Sequence, residues 1–220
     1  MSQEQSQSYS PPSWEPLLVV ALAFGWAIFG SMRAVELGFP NGPAISDSWL
    51  LHITLTEVLA GVATFALLHF RGYLVLRMLP VPNLRDSVWG LFLFLLATGL
   101  SMLVAGGFSR DQIAQQPIVA MVASAHVSMP ILVVTAMLNG VFEETFLLAY
   151  LQRAVHAHGA SLAIGVSLLV RVLYHLYQGP LGVMEVLTFG AVLSLFYWRS
   201  GRLWPAVFAH MLADVVSLCA

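Results

Sequence analysis

The chain holds 220 residues, of which 59% are hydrophobic and 9% charged, with a mean hydropathy of +0.82 and a formal net charge of −2. Soluble domains carry about 25% charged residues, so the composition excludes an ordinary soluble domain and marks an integral membrane protein. All nine cationic residues are arginines with no basic tail or stripe, which speaks against a nucleic-acid partner, and the lone Cys219 excludes an intramolecular disulfide, a cysteine-based metal cluster and a C-terminal prenylation box.

Residues 1–13 form a polar tail without the basic start of a signal peptide, so the apolar run behind it is expected to be a retained membrane helix. Residues 14–220 are read as one integral membrane domain. A bilayer span needs ~20 apolar residues. Such runs lie at 14–32, 50–70, 87–106, 128–152, 160–178, 181–199 and 203–219. The stretch 112–127, weakened by Gln112, Gln115, Gln116 and Pro117, is left as an interfacial helix, a re-entrant segment or an eighth span with its neighbour. No strand alternation of the barrel type accompanies them. The expected fold is an all-α, polytopic transmembrane helix bundle of seven to eight spans. Gly179-Pro180 predicts a tight connection, Trp204-Pro205 a helix start, and Gly190 with Ser194 a close helix contact. Arg71, Arg77, Arg85, Arg153, Arg199 and Arg202 fall on one side in the seven-span reading, against Arg33 and Arg110 on the other. This places the N-terminus inside.

A charge at the bilayer centre costs ~2.5–3.5 kcal/mol on insertion scales, so ionisable residues inside spans need a reason. Glu143 and Glu144 sit in an apolar run, with Asn139 one turn before Glu143 on the same face. Two adjacent buried acids tend to share one proton, a state suited to a general base beside an orienting partner; a structural ion pair with arginine is the alternative. Arg171 and His175 stand at i, i+4, flanked by Tyr174 and Tyr177, and Arg171 is the natural mate for a glutamate on an adjoining helix. His210 and Asp214 repeat the i, i+4 spacing, so the carboxylate can orient the imidazole. Either histidine could instead make a plain helix-to-helix hydrogen bond. Glu57 is expected at an interface or paired with Arg33 or Arg110, and Glu185 near a helix start. His175 lies ~15 residues into its span and His210 only ~7, which at ~1.5 Å per residue leaves a depth mismatch on the order of 10 Å if the two are to meet.

An acid pair on one span, a histidine on the next, and His-xxx-Asp on the last resemble the pattern of the CAAX protease and bacteriocin-processing (Abi) family. That family includes the type II CAAX prenyl endopeptidases, which are glutamic intramembrane proteases. Its pattern reads Glu-Glu-xxx-Arg, Phe-xxx-His, then His-xxx-Asn or Asp. The resemblance covers about 128–217, which would be a catalytic four-helix core. The sequence departs from it twice: the motif arginine falls on Leu148, and the motif phenylalanine on Arg171. Arg171 is therefore expected to supply the missing charge from a neighbouring helix. The resemblance implies that Glu143, helped by His175, activates water, that Glu144 orients the pair, and that His210 donates to the oxyanion with Asp214 behind it. Arg171, Asn139 and Tyr174 would support them, with no covalent intermediate, cofactor or metal. A zinc site of Glu143, His175 and His210 is the metal-bound alternative, although His-Glu-xx-His is lacking.

The implied activity is metal-independent endoproteolysis of a peptide or a lipid-modified or membrane-anchored protein, with the lipid bilayer as the other partner. A prokaryotic cytoplasmic membrane is the expected location. A non-catalytic bacteriocin-immunity or peptide-binding protein is the second reading. A solute carrier is a third, without the inverted repeats or broken helices that would favour it.

Overall fold

The computed structural model describes residues 12–39 and 45–219, so all but the end of the polar tail lies outside the described residues. The described chain is helical throughout, its one strand-like feature being an isolated bridge between Ser46 and His126. The helices are α1 (Trp14–Glu36), α2 (Asp47–Phe70), α3 (Leu84–Ala105), α4 (Arg110–Ala114), α5 (Pro117–Ala123), α6 (Met129–Glu144), α7 (Ala160–His175), α8 (Gly179–Ser200) and α9 (Trp204–Cys219).

Five helical stretches are long and apolar enough to cross a membrane: α1, α2, α3, Met129–Gln152 and Ala160–Ser200. The last runs 41 residues because only the 3-10 turn Leu176–Gln178 separates α7 from α8. These two helices pack against each other as a hairpin. Helix α9, with 16 residues, is shorter than the five. The expected count of seven to eight thus reads as five by length and apolarity. The open stretch at 112–127 holds α4 and α5, of five and seven residues, with Pro117 opening the second. Neither can span a bilayer.

Side-chain placement follows the solvent. Leu17, Phe29, Leu51, Leu55, Val62, Leu95 and Leu103 point outward, as expected when hydrocarbon surrounds the bundle. Met129–Gln152 is the central element, with the largest buried share of the five. Beyond Glu144 it changes to π-helical bonding over Thr145–Gln152, all eight residues of which are buried. Short π segments inside helices recur at functional sites.

Small residues set the close approaches. A Cβ on Gly140 would stand 3.2 Å from the Val207 carbonyl, and one on Gly90 would stand 2.8 Å from that of Pro205. These contacts clamp α6 and α3 onto α9. At the connection between α7 and α8, Gly179 adopts φ +82°, and α5 closes over it through Pro117 and a bond from the Leu181 amide to Gln116 Oε1 (3.0 Å). Buried Glu15 at the start of α1 accepts from Arg71 Nε (2.9 Å), Tyr73 (2.5 Å) and Tyr150 (3.1 Å), tying three segments together. Asp86 pairs with Arg202 at the same end of α3.

Candidate active site

Helix α6 delivers Glu143 and Glu144 side by side near its C-terminal end, both buried. Facing them on α7 is Arg171, 1% exposed. One of its terminal nitrogens donates to both oxygens of Glu144, at 2.7 and 2.8 Å, and the other donates to Glu143 Oε2 at 3.3 Å. One guanidinium nitrogen thus spans both oxygens of Glu144 while the other reaches the neighbouring acid, so a single charge serves the pair. The space for this arginine comes from Gly190 on α8, where a Cβ would lie 2.7 Å from Arg171 Cδ and 2.9 Å from Nε. The small Gly190 thus makes room for a side chain as well as for a neighbouring helix. Leu148, where the motif arginine would stand, is fully buried.

Tyr174, one residue before His175, donates its hydroxyl to Glu143 Oε2. Its ring stacks on Phe24 of α1, with centroids 5.0 Å apart and planes 7° from parallel. Phe142 meets the same Phe24 edge-on. Phe24 thus braces the tyrosine, and Phe142 braces Phe24 in turn.

His210, on α9, completes the cluster. Its Nδ1 lies 2.6 Å from Glu144 Oε1, while Nε2 lies 3.8 Å from Glu143 Oε2 and 3.6 Å from Asp214 Oδ1. Glu144 already accepts from Arg171 with both oxygens, so Nδ1 of His210 is the donor in that bond. This leaves Nε2 facing Glu143 and Asp214. Asp214 in turn accepts from Asn139 Nδ2 at 2.8 Å and keeps 27% of its side chain exposed. The expected partner for His210 was Asp214, one turn along. The closer one is Glu144, because the tight contact of α6 with α9 at Gly140 brings the helices nearly into backbone touch.

His175 departs from expectation. Its Nδ1 lies 2.9 Å from the Arg171 carbonyl of its own helix, and its ring packs between Tyr174 and Tyr177. It makes no hydrogen bond to Glu143, whose direct partner from α7 is Tyr174. His175 and Glu143 still border the same cavity.

That cavity, about 1260 Å³, is walled by residues of all the helices α1 to α9 and reaches Glu143, Arg171, His175, His210 and Asp214. It exceeds the 300–1,000 Å³ usual for small-molecule sites. Glu144 stays behind the wall. Glu57 was expected at an interface or beside Arg33 or Arg110. It is instead buried and lines this cavity, while Arg33 pairs with Glu36 at 2.5 Å. Glu185 lines it as well. No periodicity marked Glu57. The available signal was its depth, ten residues past the start of an apolar helix with no cation one turn away.

Glu143, Glu144 and His210 bring ligand atoms within 4.8 Å of one another and could gather a cation. The Arg171 guanidinium already lies against both acids. The compact ligand set contains Glu144 in place of the His175 that a zinc site was expected to use.

Residues 124–216 match the family model described as type II CAAX prenyl endopeptidase Rce1-like. No curated protein and no solved structure matches the chain.

Proposed function

We propose, from the match of residues 124–216 to the Rce1-like, type II CAAX prenyl endopeptidase family model, that this chain belongs to that family and is a metal-independent glutamic endopeptidase that cuts a membrane-anchored peptide or protein within the bilayer. One observation carries the reading: Glu143 Oε2 and His210 Nε2 face each other at 3.8 Å on the wall of a cavity large enough for a peptide segment.

A water seated at these two atoms gives its proton to Glu143 and adds to the scissile carbonyl. The developing oxyanion accepts from His210 Nε2, with Glu144 at Nδ1 and Asp214 near Nε2 orienting the ring as a donor on both sides. Glu143 then returns the proton to the leaving amine. Arg171 and Tyr174 hold the acids in place. His175, turned toward its own backbone, helps to shape the water-side wall of the cavity. Because Arg171 already supplies the positive charge between the acids, the chemistry needs no metal at that point.

We take α7 and α8 as separate spans and α9 as the last, with the N-terminus inside a prokaryotic cytoplasmic membrane. The test is hydrolysis of a panel of internally quenched, leucine-rich peptides by purified protein in detergent. Glu143→Gln should lower the rate by about 10³-fold, the middle of the range for loss of a general base. A strong chelator should leave the wild-type rate unchanged. Hydrolysis that persists in Glu143→Gln overturns the assignment of the base, and loss on chelation overturns metal independence.

A further inference from the structure

Glu57 is a buried acid of the cavity that this mechanism does not use. It sits mid-way along α2, is 6% exposed, and lines the same cavity as Glu143. Its Oε2 is buried without a hydrogen-bond partner. A buried carboxylate left without a donor or a cation is costly, so the open oxygen calls for a partner.

Among the described residues, no donor reaches that oxygen. Among the described residues lining the cavity, Arg171 is the one arginine, and Glu143 and Glu144 already engage it. Around Glu57, within electrostatic range, lie Glu143, Asp214 and His210. His210 has carboxylates near both of its nitrogens. Glu185 adds another acid to the wall. The cavity therefore carries more carboxylates than cations, and Glu57 is the buried one left open.

We propose that Glu57 is a specificity-determining residue that receives a basic side chain, lysine or arginine, of the bound peptide. The inference rests on the reading of the cavity as a peptide-binding protease site and names the class of peptide that this site prefers. A cationic side chain entering from the peptide would satisfy the open oxygen and balance the acidic wall. In a low-dielectric cavity such a charge-assisted bond discriminates strongly against an uncharged side chain of the same length.

The test reads binding rather than cleavage, so it separates from the test of the base. Protein carrying Glu143→Gln, which holds peptide without consuming it, is placed in lipid nanodiscs. Its affinity is measured for three N-acetylated, C-amidated leucine-rich peptides that differ at one central position: lysine, norleucine or glutamate. With both ends blocked, the central side chain is the sole source of charge. Lysine should bind about tenfold tighter than norleucine, the share of one hydrogen bond to a charged group, and glutamate should bind weakest. Adding Glu57→Gln should bring the lysine-to-norleucine ratio to about one. Equal affinities with Glu57 present overturn the proposal, as does a ratio that survives its removal. Should Glu57→Gln fail to fold, Glu57→Asp takes its place. The carboxylate is then drawn back by one methylene, and an unchanged ratio again overturns the proposal. Hydrolysis of any of the peptides by protein retaining Glu143 reports on the protease reading alone.

Discussion

Arg171 of α7 grips Glu144 of α6 through both carboxylate oxygens, at 2.7 and 2.8 Å, and reaches Glu143 with its second terminal nitrogen. The charge expected four residues after the acid pair is thus delivered from the next helix. All three groups are buried, and removing one partner of a buried ion pair typically costs 3–5 kcal/mol.

Arg171→Leu should therefore abolish hydrolysis and lower the thermal unfolding temperature in detergent. In the double variant Arg171→Leu with Leu148→Arg, the charge returns from α6, and about a tenth of wild-type activity is expected. The measurement is rate per folded protein. Activity retained in the single variant would remove Arg171 from the site, and a double variant as inactive as the single would speak against relocation of the charge.

Gly190 tests the same contact from the other side. A methyl group there would stand 2.7 Å from Arg171 Cδ, so the guanidinium must move. Displacement of a positioning group by about 1 Å can cost 10²-fold in rate. Gly190→Ala should lower kcat by that order while KM changes less than threefold, because Gly190 does not line the cavity. A rise in KM with kcat intact would refute this role for Gly190.

Cys219 reports topology. It is the single cysteine of the chain and is exposed. With the N-terminus inside and seven crossings, Cys219 lies outside. A membrane-impermeant maleimide should then label it in intact cells, and Cys219→Ala should abolish the signal. Labelling that needs permeabilised membranes would reverse the orientation.

Much of this arrangement was legible in the sequence, for one physical reason. Lipid penalises charge, so Glu143, Glu144, Arg171, His210 and Asp214 stood out against their apolar neighbours, and the structure gathers them around one cavity. Helix ends were legible to within a few residues because proline, glycine and arginine punctuate them. The partner of each group was harder to read. Residue spacing describes one helix, whereas Glu144 meets His210 through the close approach of two helices at Gly140. The anticipated depth mismatch dissolves for the same reason, since His210 alone reaches the acids while His175 turns to the Arg171 carbonyl. Glu57 was expected at an interface or beside an arginine because its actual surroundings are a wall assembled from distant parts of the chain.

The family match begins at residue 124, yet α1, α2 and α3 supply much of the enclosure around Glu143. Phe24 braces the tyrosine that holds this acid, and Glu57 looks onto it from across the void. On the proposed reading, cutting and choosing are housed in different stretches of one polypeptide, so variation before residue 124 would redraw the clientele while the hydrolytic apparatus stays as it is.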